Sequence, residues 1–100
     1  MRRNTDDRTA QCVEACLACA RECDAAAERL LERGQRTAVD ALIACTATAR
    51  LVADLLEEDT DVDRGVLDLC VAACERCVEL GIDGVGGGCA EAARCLRALL

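Results

Sequence analysis

The residues best equipped for chemistry in this sequence are cysteines, four of which stand together in Cys12-Val-Glu-Ala-Cys16-Leu-Ala-Cys19-Ala-Arg-Glu-Cys23. Their spacing of 4, 3 and 4 residues keeps side chains on one face of an α-helix, the seam that normally carries Leu or Ile into a bundle core. Here the seam carries sulfur. Cys70, Cys74 and Cys77 repeat the first three positions of that register, and Cys45, Cys89 and Cys95 complete a set of ten. Thiolates are soft donors that select Cu(I), zinc or iron–sulfur clusters over magnesium or calcium. Cys-x3-Cys and Cys-x2-Cys on a helix place two sulfurs on adjacent turns of one face, close enough to share an ion.

Little other chemistry is available. Ser, Lys, His, Pro, Phe, Tyr and Trp are all absent, and every basic side chain is arginine. Without His, Ser or Lys there is no Ser-His or Cys-His pair, no Schiff-base lysine and no histidine proton shuttle, so an enzyme is not expected. The net charge of -7 and the lack of aromatics argue against a nucleic-acid surface. No apolar run approaches the roughly 18 to 20 residues of a membrane span, and the polar start Met1-Arg2-Arg3-Asn4-Thr5-Asp6-Asp7 has no apolar stretch behind its arginines. A cytosolic chain is expected, and in a reducing compartment such a cysteine count favours metal or redox use over disulfides.

The elements that must position the sulfurs read as four helices, at about residues 6–33, 35–58, 62–81 and 88–100. Thr5 or Asp6 can cap the first, and Gly34 stands where a helix ends. The second carries the seam Ala38, Leu42, Cys45, Ala49, Val52 and Leu56. Glu57-Glu58-Asp59-Thr60-Asp61 reads as a solvated turn and lacks the spacing of a calcium loop. The third helix has the seam Asp63, Leu67, Cys70, Cys74, Cys77 and Gly81, with apolar residues on both flanks that suggest deeper burial than the first. Gly81-Ile-Asp-Gly84-Val-Gly86-Gly87-Gly88 reads as a flexible connection rather than a phosphate loop. On the last helix Cys89, Ala92, Leu96 and Leu99 share a face, whereas Cys95 lies about 120° from Cys89 and reads as a packing or surface thiol.

Short connections favour a single all-α domain over residues 1–100, an antiparallel up-down-up-down four-helix bundle with a cysteine-lined core. The first and third helices then run parallel across a diagonal. Counting from helix starts sets Cys12 level with Cys70, Cys16 with Cys74 and Cys19 with Cys77, with Cys45 near Cys23 and Cys89 near Cys77. A rack of this length suits several Cu(I) ions, each held by two or three thiolates. Zinc or an iron–sulfur cluster needs four converging ligands; Cys16, Cys19, Cys74 and Cys77 are the candidates for that alternative, which leaves six cysteines without a role. A structural or interaction bundle with packing cysteines is the remaining reading, since buried Cys is a good small core residue.

The Cys-x3-Cys-x2-Cys-x3-Cys first helix, Cys45-Thr-Ala-Thr-Ala-Arg50-Leu-Val-Ala-Asp-Leu-Leu on the second, Cys-x3-Cys-x2-Cys on the third and Cys89-Ala-Glu-Ala on the last resemble the cysteine-rich four-helix-bundle copper storage proteins. The likeness covers most of residues 10 to 100. It implies binding of many Cu(I) ions by core cysteines for storage, buffering or detoxification. It also assigns ligand roles to Cys12, Cys16, Cys19, Cys23, Cys45, Cys70, Cys74, Cys77 and Cys89. The implied partners are copper ions and an unidentified copper donor or acceptor protein; nucleic acid and membrane are not expected partners. A sulfur- and alanine-rich core buries less apolar area than usual, so association into a homo-oligomer would add stability. The family tends to carry more cysteines, with His or Met where copper enters. This chain has no His and only Met1, and it has Ala93 and Leu96 where a continued motif would place sulfur. Reduced capacity is expected, with the glycine-rich loop as the substitute mouth.

Overall fold

The computed structural model describes residues 7–58 and 61–100. Four helices account for most of them: α1 (Asp7–Glu32), α2 (Arg36–Glu57), α3 (Arg64–Glu79) and α4 (Gly86–Leu99). The bounds follow the sequence reading within two residues throughout, and local chemistry sets the differences. The Thr5 or Asp6 cap and residues 59–60 of the acidic turn lie outside the described residues.

α1 ends in a Schellman turn. Gly34 takes φ +72°, its N–H donates to the Leu31 carbonyl at 3.1 Å, and the Gln35 N–H donates to the Leu30 carbonyl at 3.1 Å. A side chain at Gly34 would strain this left-handed turn. α3 starts two residues later than the periodicity suggests because Asp63 is its cap and not its first seam residue. The Asp63 carboxylate accepts from the Gly65 N–H at 2.6 Å, satisfying a donor that the first helical turn leaves open.

Gly81 is likewise not a seam position. It follows the end of α3 with φ +66°, its N–H donating to the Val78 carbonyl at 3.0 Å. The stretch read as flexible is therefore two things. Residues 80–85 form a turn that sends Ile82 and Val85 into the core, and Gly86, Gly87 and Gly88 open α4.

α1 packs against α2 and α4, and α3 packs against the same two, so α1 and α3 face each other across a diagonal. Residues Cys12, Cys19 and Arg29 of α1 meet Cys95, Cys89 and Asp83 in turn, so the numbers rise along α1 as they fall towards and along α4. The seam of each helix turns inward. Leu42, Cys45, Ala49 and Val52 of α2 have no exposed surface, and Ala92 and Leu96 of α4 match them. The flanks of α3 are mixed: Val71 is buried, as expected, whereas Leu69 is 59% exposed, with Val78 and Leu80 also exposed. Four helices of this size have one interior stripe each, and the exposed residues fall beyond it.

Candidate metal centre

The axis of the bundle is lined with sulfur. All ten cysteines are buried and none is in a disulfide. Helical spacing explains why: positions 12, 16, 19 and 23 of α1 and 70, 74 and 77 of α3 are inward seam positions, to which α2 contributes position 45 and α4 position 89.

Cys19, Cys23, Cys45 and Cys89 form a tetrad whose sulfurs all lie within 4.8 Å of one another. Cys19 Sγ is 3.5 Å from both Cys45 Sγ and Cys89 Sγ and 4.0 Å from Cys23 Sγ. Cys89 Sγ is 3.6 Å from Cys23 Sγ and 3.9 Å from Cys45 Sγ. From the tetrad the sulfurs continue down the bundle: Cys45 Sγ lies 3.6 Å from Cys74 Sγ, Cys74 neighbours Cys70, and Cys70 neighbours Cys16. Cys77 stands to the side and donates to the Ala41 carbonyl at 3.5 Å.

Two expectations about register are revised. Across the diagonal, Cys16 meets Cys70 and Cys19 meets Cys74, rather than Cys12 with Cys70, Cys16 with Cys74 and Cys19 with Cys77. The set Cys16, Cys19, Cys74 and Cys77 does not converge; among the described residues the compact set is the tetrad. Cys89 neighbours Cys77, as expected, and also packs on Cys19 and Cys23. The approach of Cys45 to Cys23 is as expected.

The sulfurs share protons unequally. Hydrogen bonds from Cys19, Cys23 and Cys45 hold Cys89 below its ordinary thiol range. Hydrogen bonds from Cys16 and Cys74 draw Cys70 down to about 4, and those from Cys23 and Cys45 draw Cys19 down to about 5. The donors are pushed the other way: Cys16 chiefly by its bond to Cys70, Cys23 and Cys45 chiefly by theirs to Cys19, and Cys74 by its bond to Cys19. Burial pushes Cys77 up to about 11. A few thiolates are thus stabilised by neighbouring S–H groups, because adjacent buried charges cannot all form at once. A bound cation would replace those protons.

Cys95 is the cysteine that the helical wheel set apart. It is buried, beside Cys12, with its S–H donating to Glu91 Oε2 at 3.6 Å and Arg94 Nη2 at 3.7 Å from its sulfur. This is the packing alternative of the sequence reading: α1 and α4 flank one another, and a position off the central seam of α4 still faces α1.

These observations describe an α-helical bundle whose core is a thiol array suited to soft metal ions. Residues 3–99 match the family model of the copper storage proteins, and the chain belongs to that family. The comparisons with curated proteins and with solved structures gave no match. The family's role is copper storage, and the buried cluster is compatible with metal binding. No helix among the described residues is long and apolar enough to cross a membrane.

Proposed function

We propose that this protein binds several Cu(I) ions through Cys12, Cys16, Cys19, Cys23, Cys45, Cys70, Cys74, Cys77 and Cys89. In this reading the whole chain is one domain that stores or buffers copper in the cytosol and limits its toxicity, without catalysing a reaction. The observation that carries the proposal is the continuity of sulfur: the tetrad connects through Cys74 to Cys70 and Cys16 without an intervening hydrocarbon layer. A single site needs four ligands and would stop there. Cu(I) has a filled d shell and accepts two or three thiolates, so contiguous sulfurs can bridge successive ions.

One observation favours a narrower reading. A tetrahedral ion with Zn–S bonds of about 2.3 Å has S–S edges of about 3.8 Å, close to the 3.5–4.0 Å separations recorded within the tetrad. One zinc ion would fit there, whereas a four-iron cubane would have to spread the helices. The deciding experiment titrates reduced, anaerobic protein with Cu(I) against bicinchoninate and measures the metal content of protein as isolated. Retention of several Cu(I) ions per chain is expected. Retention of one or none, or a single tightly held zinc, overturns the proposal in favour of the tetrahedral site or a purely structural bundle.

A further inference from the structure

The proposed store has no histidine and no methionine beyond Met1 to collect copper, and the end of the bundle nearest the tetrad is closed. Ala26, Leu42 and Val85 lie about one turn beyond Cys23, Cys45 and Cys89 and have no exposed surface, and Ile82 is buried near them. The glycine-rich loop is therefore a hydrocarbon cap, which an ion stripped of water would cross at high cost. Nine of the ten cysteines are at most 1% exposed; Cys95 is 5% exposed.

The cover over Cys95 also differs in kind. Its sulfur is in contact with Glu91 and Arg94, which pair with each other at the surface and whose side chains are 52% and 66% exposed. Inward, Cys95 adjoins Cys12, one helical turn from Cys16, which meets Cys70. From there the sulfurs run through Cys74 and Cys45 to the tetrad.

From this geometry we propose that Cys95, with Cys12 behind it, is the entry site at which Cu(I) first engages protein sulfur before passing along the array. The proposal rests on the copper-binding reading above and adds a route to it. Cu(I) arrives bound to a thiol or chelate donor. The Cys95 sulfur forms a Cu–S bond as one donor ligand leaves, and the Cys95 proton passes to the departing ligand or, through Glu91, to solvent. Copper stays Cu(I) throughout, so no oxidant or reductant is required. Cys12 then displaces the remaining donor ligand, its proton leaving on that ligand, and the ion moves inward by the same exchange. Arg94 offsets negative charge on the exchanging sulfur, and rotation of the Glu91–Arg94 pair uncovers it without moving a helix.

The test mixes excess reduced apoprotein with the Cu(I)–bicinchoninate complex anaerobically and follows the loss of chelate absorbance with time. Cys95→Ala is expected to slow initial transfer by about fivefold or more, because access governs sulfur exchange, while final capacity falls by no more than one ion. Cys89→Ala, at the closed end, should lower capacity and slow initial transfer less than Cys95→Ala does. Limited iodoacetamide treatment of the apoprotein followed by peptide mapping should find Cys95 alkylated first. An unchanged rate in Cys95→Ala overturns the proposal, as does faster uptake in Ile82→Ala, or another cysteine reacting first. Should Cys95→Ala lose helicity, Cys95→Ser keeps the size and the alkylation order needs no variant. Failure of wild-type protein to retain copper would instead sink the storage reading.

Discussion

The two ends of the sulfur array are built differently. Towards the α1–α2 turn, three helices bring Cys19, Cys23, Cys45 and Cys89 into mutual contact beneath Leu42 and Val85, whereas at the opposite end Cys12 and Cys95 adjoin beneath a surface ion pair. A closed, hydrocarbon-capped tetrad suits retention, since many donors converge and water is kept out. A thiol pair under solvent-exposed charges suits exchange. The contrast shows how one residue type can serve opposite ends of a process through what covers it.

The sharpest way to probe this contrast is pH. Cys16, Cys23, Cys45 and Cys74 have native pKa values raised above the ordinary value of 9.0, so the unfolded chain releases these protons first. Their contribution to metal-free stability is complete below pH 9 and is lost as pH rises above it, by at most about 1.4 kcal/mol per pH unit for each thiol. Urea midpoints under reductant should fall between pH 9 and 10.5, less steeply in Cys45→Ala than in the wild type. A flat profile would show that the tetrad does not share protons as described. The same protons compete with metal, so Cu(I) uptake should release protons and weaken as pH falls.

Removing the cap tests the closed end directly. Leu42→Ala should cost about 3 kcal/mol of stability by denaturation, as expected for a fully buried leucine; a cost below 1 kcal/mol would mean that the cap is loosely packed. Among the ligands, Cys45→Ala should weaken the tightest Cu(I) ion by about tenfold or more, about 1.4 kcal/mol, and Cys12→Ala should affect it less. Equal effects in competition titrations would erase the distinction between the ends. The smallest change is expected at Asp63, where Asp63→Ala should cost about 1 kcal/mol through the lost α3 cap with no change in copper capacity.

Much of this was legible in the chain. The 4-3-4 spacing placed seven cysteines on two inward seams because helical periodicity alone decides which side chains share a face. Gly34 ended α1 for a purely local reason, its positive φ. Asp63 and Gly81 were misread as seam positions because a cap and a C-terminal glycine sit at the same spacing as the residues they adjoin, and only the backbone conformation tells them apart.

What the sequence by itself determined was therefore the helices, their sulfur-bearing faces and the likeness to copper storage proteins. What only the tertiary structure decided was which sulfurs meet. α1 and α2 have 26 and 22 residues but α3 and α4 only 16 and 14, and Arg29 of α1 already reaches the Asp83 carbonyl of the α3–α4 turn. Helix starts are thus not a common baseline, and counting from them misplaced the diagonal register. The offset between the two hairpins is set by packing of side chains distant in the chain, and that offset brings Cys16 to Cys70, assembles the tetrad and seats Cys95 beside Cys12.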